Sequence, residues 1–386
     1  MKMKLIHLKD ICDLENGYAF KSNDYVENSN TLNCRMSNIR PDGSFDIMYN
    51  AKYLPDEYAE EYSDYILKDG DLIIAMTDMA GDPKILGVPT VVETKGYNLL
   101  LNQRVGKLRF IKEGVNADYL KLALQSKQVR FYLKRFAGGG VQINVSKKDI
   151  LNSPIQMRTE EQQEYIVNVF TKIKNTINYR KHELELLNNL IKARFVELFG
   201  DPIQSDKVGY VRVETCVADK NDMVDGPFGS QVDTKVDYIE NGEIPVIRTV
   251  NVKMMQFSPL DLKFMTREKY NAIIRSQVLP GDVILTKVGT IGNVCIFPED
   301  YDEAVLSTTG SCRIRVDESK MNKVFFAYNL MYLKPRLLEI ASAGVQPFLN
   351  MKHVKNIEVL NAPMEQQEQF VAFVHQVDKS KLTKLF

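Results

Sequence analysis

Two groupings of carboxylates with a lysine could hold a cation. Asp82 with Glu93 and Lys95, and Asp302 with Glu318 and Lys320, echo the pattern by which metal-dependent nucleases bind a metal and activate water. In a chain with 50 acidic and 50 basic side chains such matches arise by chance, and a solvated surface is the stronger reading. Phe136-Ala137-Gly138-Gly139-Gly140 fits the F-x-G-x-G pattern that cradles a methyl donor. It follows a basic helical stretch where that motif needs a strand, and no Asn/Asp-Pro-Pro-Tyr/Phe tetrapeptide accompanies it, so a helix-ending glycine turn accounts for it better. There is no phosphate loop, no H-E-x-x-H and no G-x-S-x-G. His7, His182, His353 and His375 are scattered, which disfavours a metal cluster or an activated nucleophile. Cys12, Cys34, Cys216, Cys295 and Cys312 are odd in number and never C-x-x-C, as expected of reduced structural thiols.

Charge is more informative than any catalytic motif. The 386 residues have a formal net charge of +0, which removes the simplest electrostatic argument for a polyanionic partner but leaves room for local basic faces. From Leu120 to Lys148 the chain carries Lys121, Lys127, Arg130, Lys134, Arg135, Lys147 and Lys148 and no acidic residue. From Ser319 to Asn356 it carries Lys320, Lys323, Lys334, Arg336, Lys352 and Lys355 against Glu339. The same bias at equivalent places favours a phosphate-contacting surface over a merely solvated face. No apolar run approaches the ~20 residues of a membrane span, and the amino end lacks the apolar core of a secretory signal. A cytoplasmic location with no membrane partner is the expectation.

The elements that must position these residues come in two copies. Gly140-Val141-Gln142 and Glu161-Gln162-Gln163-Glu164 return as Gly344-Val345-Gln346 and Glu365-Gln366-Gln367-Glu368, both at an offset of 204. Gly70-Asp71-Leu72-Ile73-Ile74 matches Gly281-Asp282-Val283-Ile284-Leu285, and the segment Arg35 to Ile39 matches Arg248 to Val252. A repeat this long is a duplicated domain with its connector. The first part of each copy reads as mixed α/β, with short strands such as Gly281–Thr286 and Cys312–Val316 and a helical stretch over Ala117–Phe136. The connector differs. A capping pattern at Thr159–Gln162, no Gly or Pro, and a stop at Gly200-Asp201-Pro202 predict a helix over 160–199, about 60 Å long. Steps of four and three from Ile166 reach Phe170, Ile173, Ile177, Arg180, Leu184, Leu187, Ile191, Arg194 and Leu198, a coiled-coil seam interrupted by two arginines. Phe370, Val374 and Val377 occupy the positions equivalent to Ile166, Phe170 and Ile173, so the expected partner of the seam is its own repeat copy.

These segments resemble the DNA-specificity (S) subunit of type I restriction-modification enzymes. The resemblance is carried by Asp225-Gly226-Pro227-Phe228-Gly229-Ser230, by Ile244–Val252, by Pro280-Gly281-Asp282-Val283, by the paired Gly-Val-Gln turns, and above all by the connector ending Ile191–Pro202. It implies an α/β protein of two mixed α/β target-recognition domains joined by long antiparallel coiled-coil helices, with a pseudo-two-fold internal repeat. The domains would be 1–157 and 201–362, with a central helical spacer at 158–200 and a second, shortened spacer at 363–386. It also implies a non-catalytic chain that reads a bipartite, gapped site in double-stranded DNA. Methyltransferase (M) subunits, two in the family's arrangement, would dock on the helices and carry S-adenosylmethionine, and restriction (R) subunits would join through the complex. No cofactor or metal is expected on this chain.

On that reading the candidate DNA contacts are Arg35, Asn38, Lys134, Arg135, Gln142, Asn144 and Lys147 in the first copy. In the second they are Arg248, Asn251, Lys287, Gln346, Asn350 and Lys352. Arg and Asn suit guanine and adenine edges respectively. The docking positions are Ile166, Phe170, Ile173, Ile177, Leu184, Leu187, Ile191, Phe370, Val374 and Val377. Because the second spacer stops at the equivalent of His182, apolar positions of the seam are expected to lie uncovered. Two alternatives stay open: a recognition subunit of a related multi-subunit restriction or methylation system, and a truncated silent or recombining allele.

Overall fold

The structure, a computed structural model, describes residues 4–341 and 347–383. The chain divides into two compact units, Met1–Tyr179 and Arg180–Phe386. In the first, one four-stranded antiparallel sheet runs in the order Cys12–Asn16, Val105–Phe110, Leu72–Ala75, Pro89–Val91. A second sheet runs Tyr53–Leu54, Thr31–Cys34, Asn98–Leu101, Ile66–Leu67, with its central pair parallel. The strand Leu72–Ala75 is buried on both faces, and its side chains alternate between two cores. Leu72 and Ile74 join one apolar cluster and Ile73 and Ala75 the other, which is why four apolar residues follow one another without a polar break.

The helices of this unit are α1 (Tyr58–Glu61), α2 (Ala117–Leu124), α3 (Lys127–Phe136), α4 (Lys147–Leu151) and the long α5 (Glu160–Phe199), which continues into the second unit. The helical stretch expected over 117–136 is two helices. Ser126 divides them, its hydroxyl accepting from the Val129 amide to cap α3.

The second unit repeats both four-stranded sheets of the first. Met223–Asp225, Ser311–Ile314, Val283–Thr286 and Val294–Ile296 form one sheet. Lys263–Met265, Ile244–Ile247, Ala304–Leu306 and Gln277–Val278 form the other, again with a parallel central pair. Its helices are α6 (Arg267–Ala272), α7 (Lys323–Tyr332), α8 (Lys334–Ala341), α9 (Met351–Lys355) and α10 (Met364–Thr383). The repeated Gly-Asp pair is a turn with a staple. Gly70 and Gly281 have φ of +87° and +85°, and Asp71 and Asp282 accept the Lys68 and Leu279 amides at 2.8 and 2.7 Å.

The expected helix over 160–199 is a single element, ended by Gly200 at φ +82°. Its packing differs from the expected seam. The buried apolar positions are Ile191, Phe195 and Phe199, not Ile191, Arg194 and Leu198. These steps of four lay the helix on a globular core of α7 and α10, as ridges of an ordinary 3.6-residue helix do, whereas a 3.5-residue supercoil would alternate steps of three and four. Phe370 therefore meets Phe195 and Phe199. Phe170, Ile173 and Ile177 stay about half exposed. The five cysteines are free and buried, and burial pushes the Cys216 thiol up to about 11 and those of Cys12, Cys295 and Cys312 to about 12. No described helix is long and apolar enough to cross a membrane.

Candidate nucleic-acid interface

In the first unit the basic stretch ends in a hairpin. Lys134 and Arg135 sit exposed in the last turn of α3, where the helix dipole favours cations, and have no ion pair among the described residues. The chain then reverses through Gly138–Gly140, with Gly138 and Asn144 exchanging amide-to-carbonyl bonds of 3.1 and 2.9 Å. Gly139 has φ +140°, and a Cβ there would lie 2.0 Å from the Gln142 carbonyl oxygen, so the turn tolerates only glycine. Val141 at the tip is 79% exposed.

Strand Gln142–Asn144 pairs with Thr77–Met79, placing Asn144 opposite Thr77. The Thr77 hydroxyl donates to Asn144 Oδ1 at 2.5 Å, and the Asn144 NH2 group has no acceptor among the described residues. Beside it lies a cleft of about 260 Å³ lined by Met76, Thr77, Gln103, Arg104, Asn144 and Val145. Gln103 and Arg104 are missing from the candidates read from sequence. Their guanidinium and amide groups, with Asn144, are the donors and acceptors that suit base edges or phosphates.

The second unit builds this place differently. The Met76 amide donates to the Arg104 carbonyl and the Lys287 amide to that of Gly310, so Lys287 and Gly310 stand where the first unit has Met76 and Arg104. Lys287 is not a surface cation. Its side chain is 3% exposed and bonds Asp225 at 2.9 Å, an interior ion pair that holds its ammonium away from solvent, so its assignment as a DNA contact is corrected. Gln346 lies outside the described residues. Asn350 caps α9, accepting the His353 amide at 2.8 Å, as Ser146 caps α4. Lys352 is exposed and without an ion pair among the described residues, whereas Lys320 and Lys323 are paired with Asp317 and Glu318.

Asn38 and Asn251 are corrected as well. Asn38 accepts the Arg35 amide at 2.8 Å and donates to the carbonyls of Asp46 and Ile47. Asn251 accepts the Arg248 amide at 3.0 Å and donates to the carbonyls of Ser258 and Leu260. Both are fully buried, so they match because each clamps the same loop of a repeated fold. Arg248 is tied to Asp261 at 2.8 Å, and this bond, with a second from Lys263, holds the Asp261 carboxyl below the usual range. Arg35 is half-buried. Lys147 pairs with Asp13 at 3.0 Å, while Gln142 remains partly exposed on the hairpin.

The docking positions divide in the same way. Ile166 and Phe170 line a groove of the first unit, and Ile173, Ile177 and Leu184 are exposed. Leu187 is half-buried against the second unit's core. Ile191, Phe370, Val374 and Val377 are buried in the second unit's apolar core, and of these Ile191 and Val374 also reach the wall of a groove that Leu184 lines. The repeated Glu-Gln-Gln-Glu segment also has a structural meaning. Gln163 and Gln367, both buried, accept the amides of Asn116 and Asn322 at 2.9 Å and so fasten the start of α5 to the cap of α2, and of α10 to the cap of α7. No described group of three or more His, Cys, Asp or Glu is placed to hold a metal ion.

The model of the type I restriction modification DNA specificity domain matches residues 2–189 and 227–385. The MjaVIII specificity subunit of a type I restriction enzyme from Methanocaldococcus jannaschii is 25% identical over 192 residues, 49% of this chain and 43% of that protein. The chain thus spans less than half the length of that relative. The putative MjaX specificity subunit from the same organism is 20% identical over 389 residues, 96% of this chain and 85% of the relative. Among solved structures, the S subunit of the type I restriction-modification system from M. genitalium superposes with a TM-score of 0.55 at 14% identity, covering 99% of this chain and 91% of that one. A structure described as the basis of complex assembly and conformational transition of the type I R-M system gives 0.56 at 16%, covering 99% and 93%. These likenesses establish the fold, and with a family match over most of the sequence the chain belongs to the type I restriction-modification DNA specificity family.

Proposed function

We propose that this chain is the DNA-reading specificity subunit of a type I restriction-modification enzyme. Each unit reads one half of a bipartite, gapped site in double-stranded DNA. The helices α5 and α10 act as the paired spacers, M subunits dock on their exposed faces, two in a full assembly, and R subunits join through the complex. Methyl transfer and S-adenosylmethionine belong to M, and the assembly works in the cytoplasm. The observation that carries this reading is one fold built twice with different chemistry at the equivalent cleft. Gln103, Arg104 and Asn144 are presented in the first unit, against Gly310 and an interior Lys287 in the second. Two unlike half-sites require that combination of common frame and differing donors.

Net charge zero with local basic patches supports phosphate contacts but little long-range attraction. Footprinting with the purified chain alone and with its M subunit tests the proposal. Weak binding without sequence preference is expected from the chain alone, and a protected gapped bipartite site from the complex. A tight specific footprint from the chain alone, or none from the complex, would overturn it.

A further inference from the structure

The first unit has an open groove of about 310 Å³, with Tyr119, Leu122, Ala123, Ser126, Ile166 and Phe170 among its walls. The second unit has the same groove, and there α5 occupies its inner part, while Tyr328, Tyr332 and Val374 still border an open cleft of about 800 Å³. The correspondence is fixed by the bonds from Gln163 to the Asn116 amide and from Gln367 to the Asn322 amide. Counting from these anchors, Tyr119, Ser126, Ile166 and Phe170 stand where the second unit has Phe325, Tyr332, Phe370 and Val374. Those residues receive two rings from α5. Phe195 lies 5.8, 4.9 and 5.3 Å from the rings of Phe325, Tyr332 and Phe370, and Phe199 lies 4.7 and 5.8 Å from Phe325 and Phe370. Ile191 completes the row, so the occupant is a helix with bulky apolar side chains at i, i+4 and i+8. The consequence for exposure is large: Val374 is 2% exposed, and its counterpart Phe170 is 53% exposed.

We propose that the first unit's groove is a docking site for an α-helix of another polypeptide that carries the pattern of Ile191, Phe195 and Phe199. The open walls favour an aromatic guest. Ser126 replaces the bulk of Tyr332, and Tyr119 keeps the floor apolar while its hydroxyl is spent on the Gln156 carbonyl. Arg158 on the rim, where the second unit has Ala362, favours an acidic residue on the guest's flank. This inference rests on the repeat geometry and holds whether or not the chain reads DNA.

The test is a fluorescent peptide with the sequence of residues 184–203 of this chain, titrated with the full chain and followed by anisotropy. Saturable binding is expected. It should weaken at least tenfold with Phe195→Asp in the peptide, and equally with Ser126→Arg or Phe170→Asp in the protein. Both protein positions are exposed, so the variants should fold, which circular dichroism checks. Absence of saturable binding would overturn the proposal. So would binding that survives both protein substitutions, because the peptide would then be seated elsewhere, as by displacing α5 from the second unit. Dimers of the chain that Ser126→Arg dissolves but the peptide does not compete with would also overturn it, by assigning the groove to a different surface of a second copy.

Discussion

Replacing Gln163 with methionine changes little except three hydrogen bonds, which makes it a clean probe of how the long helix is attached. Gln163 is 1% exposed. Its Oε1 accepts the Asn116 amide at 2.9 Å, and its Nε2 donates to the carbonyls of Gly114 and Arg158 at 3.1 and 3.0 Å. Methionine has similar length and helix propensity, so neither a cavity nor a propensity change confuses the result. An unsatisfied buried polar group costs about 1–3 kcal/mol, and with three groups that keep partial access to water the loss is about 2–4 kcal/mol. Gln367→Met removes two bonds, to the Asn322 amide and the Ala362 carbonyl, and should cost about 1.5–3 kcal/mol. The assay is urea unfolding by circular dichroism combined with amide hydrogen exchange. Gln163→Met should lower the stability of the first unit and speed exchange at Asn116 by about 30- to 700-fold, at ~1.4 kcal/mol per decade. An unchanged urea midpoint with undiminished protection of the Asn116 amide would refute the account of the repeated Glu-Gln-Gln-Glu segment as a staple.

Three further outcomes are expected. Replacing Lys134 and Arg135 together by alanine should weaken DNA binding by the complex and reduce the slope of log K against log salt by about 2, at ~0.9 per phosphate contact; an unaltered slope would remove the α3 terminus from the interface. Asn251→Ala should destabilise the second unit by about 2–3 kcal/mol, because the Arg248 amide and two carbonyls lose their partner, without altering the preferred half-site; a changed base preference in a stable protein would return Asn251 to the reading surface. The Glu303 carboxyl is held below its ordinary 4.5 first by the bond from Tyr270 and then by Arg267. A depressed carboxylate contributes its full stabilisation above the unfolded value and loses it as pH falls through the folded one, so the thermal midpoint should drop below about pH 4.5 and Glu303→Gln should flatten that drop. Identical acid limbs in the two proteins would argue against the Glu303 cluster.

Local rules made much of the fold legible. Forty residues free of Gly and Pro, bounded by Thr159 and Gly200, form the helix Glu160–Phe199, and the duplicated turns at Gly70 and Gly281 recur with the same positive φ. The misses have a common cause, since burial and pairing are decided by residues distant in sequence. Nothing around Lys287 announces that Asp225 will meet it in the interior. Asn38 and Asn251 repeat faithfully, but a residue that clamps a duplicated loop repeats as surely as one that reads a ligand. Arg104 was invisible for the opposite reason, because its counterpart Gly310 has no side chain and the repeat gives no hint of it. Heptad steps likewise placed Arg194 and Leu198 on the seam. The helix instead buries Phe195 and Phe199 against α7 and α10, and their burial depends on Phe325 and Phe370.

The most direct test of two independent reading units is an exchange of residues 1–157 for those of a relative with a different site, followed by mapping of methylated bases in cells that carry the matching M subunit. The account predicts that one half of the bipartite site changes while the other half is retained. A change in both halves, or methylation at the original site, would contradict it.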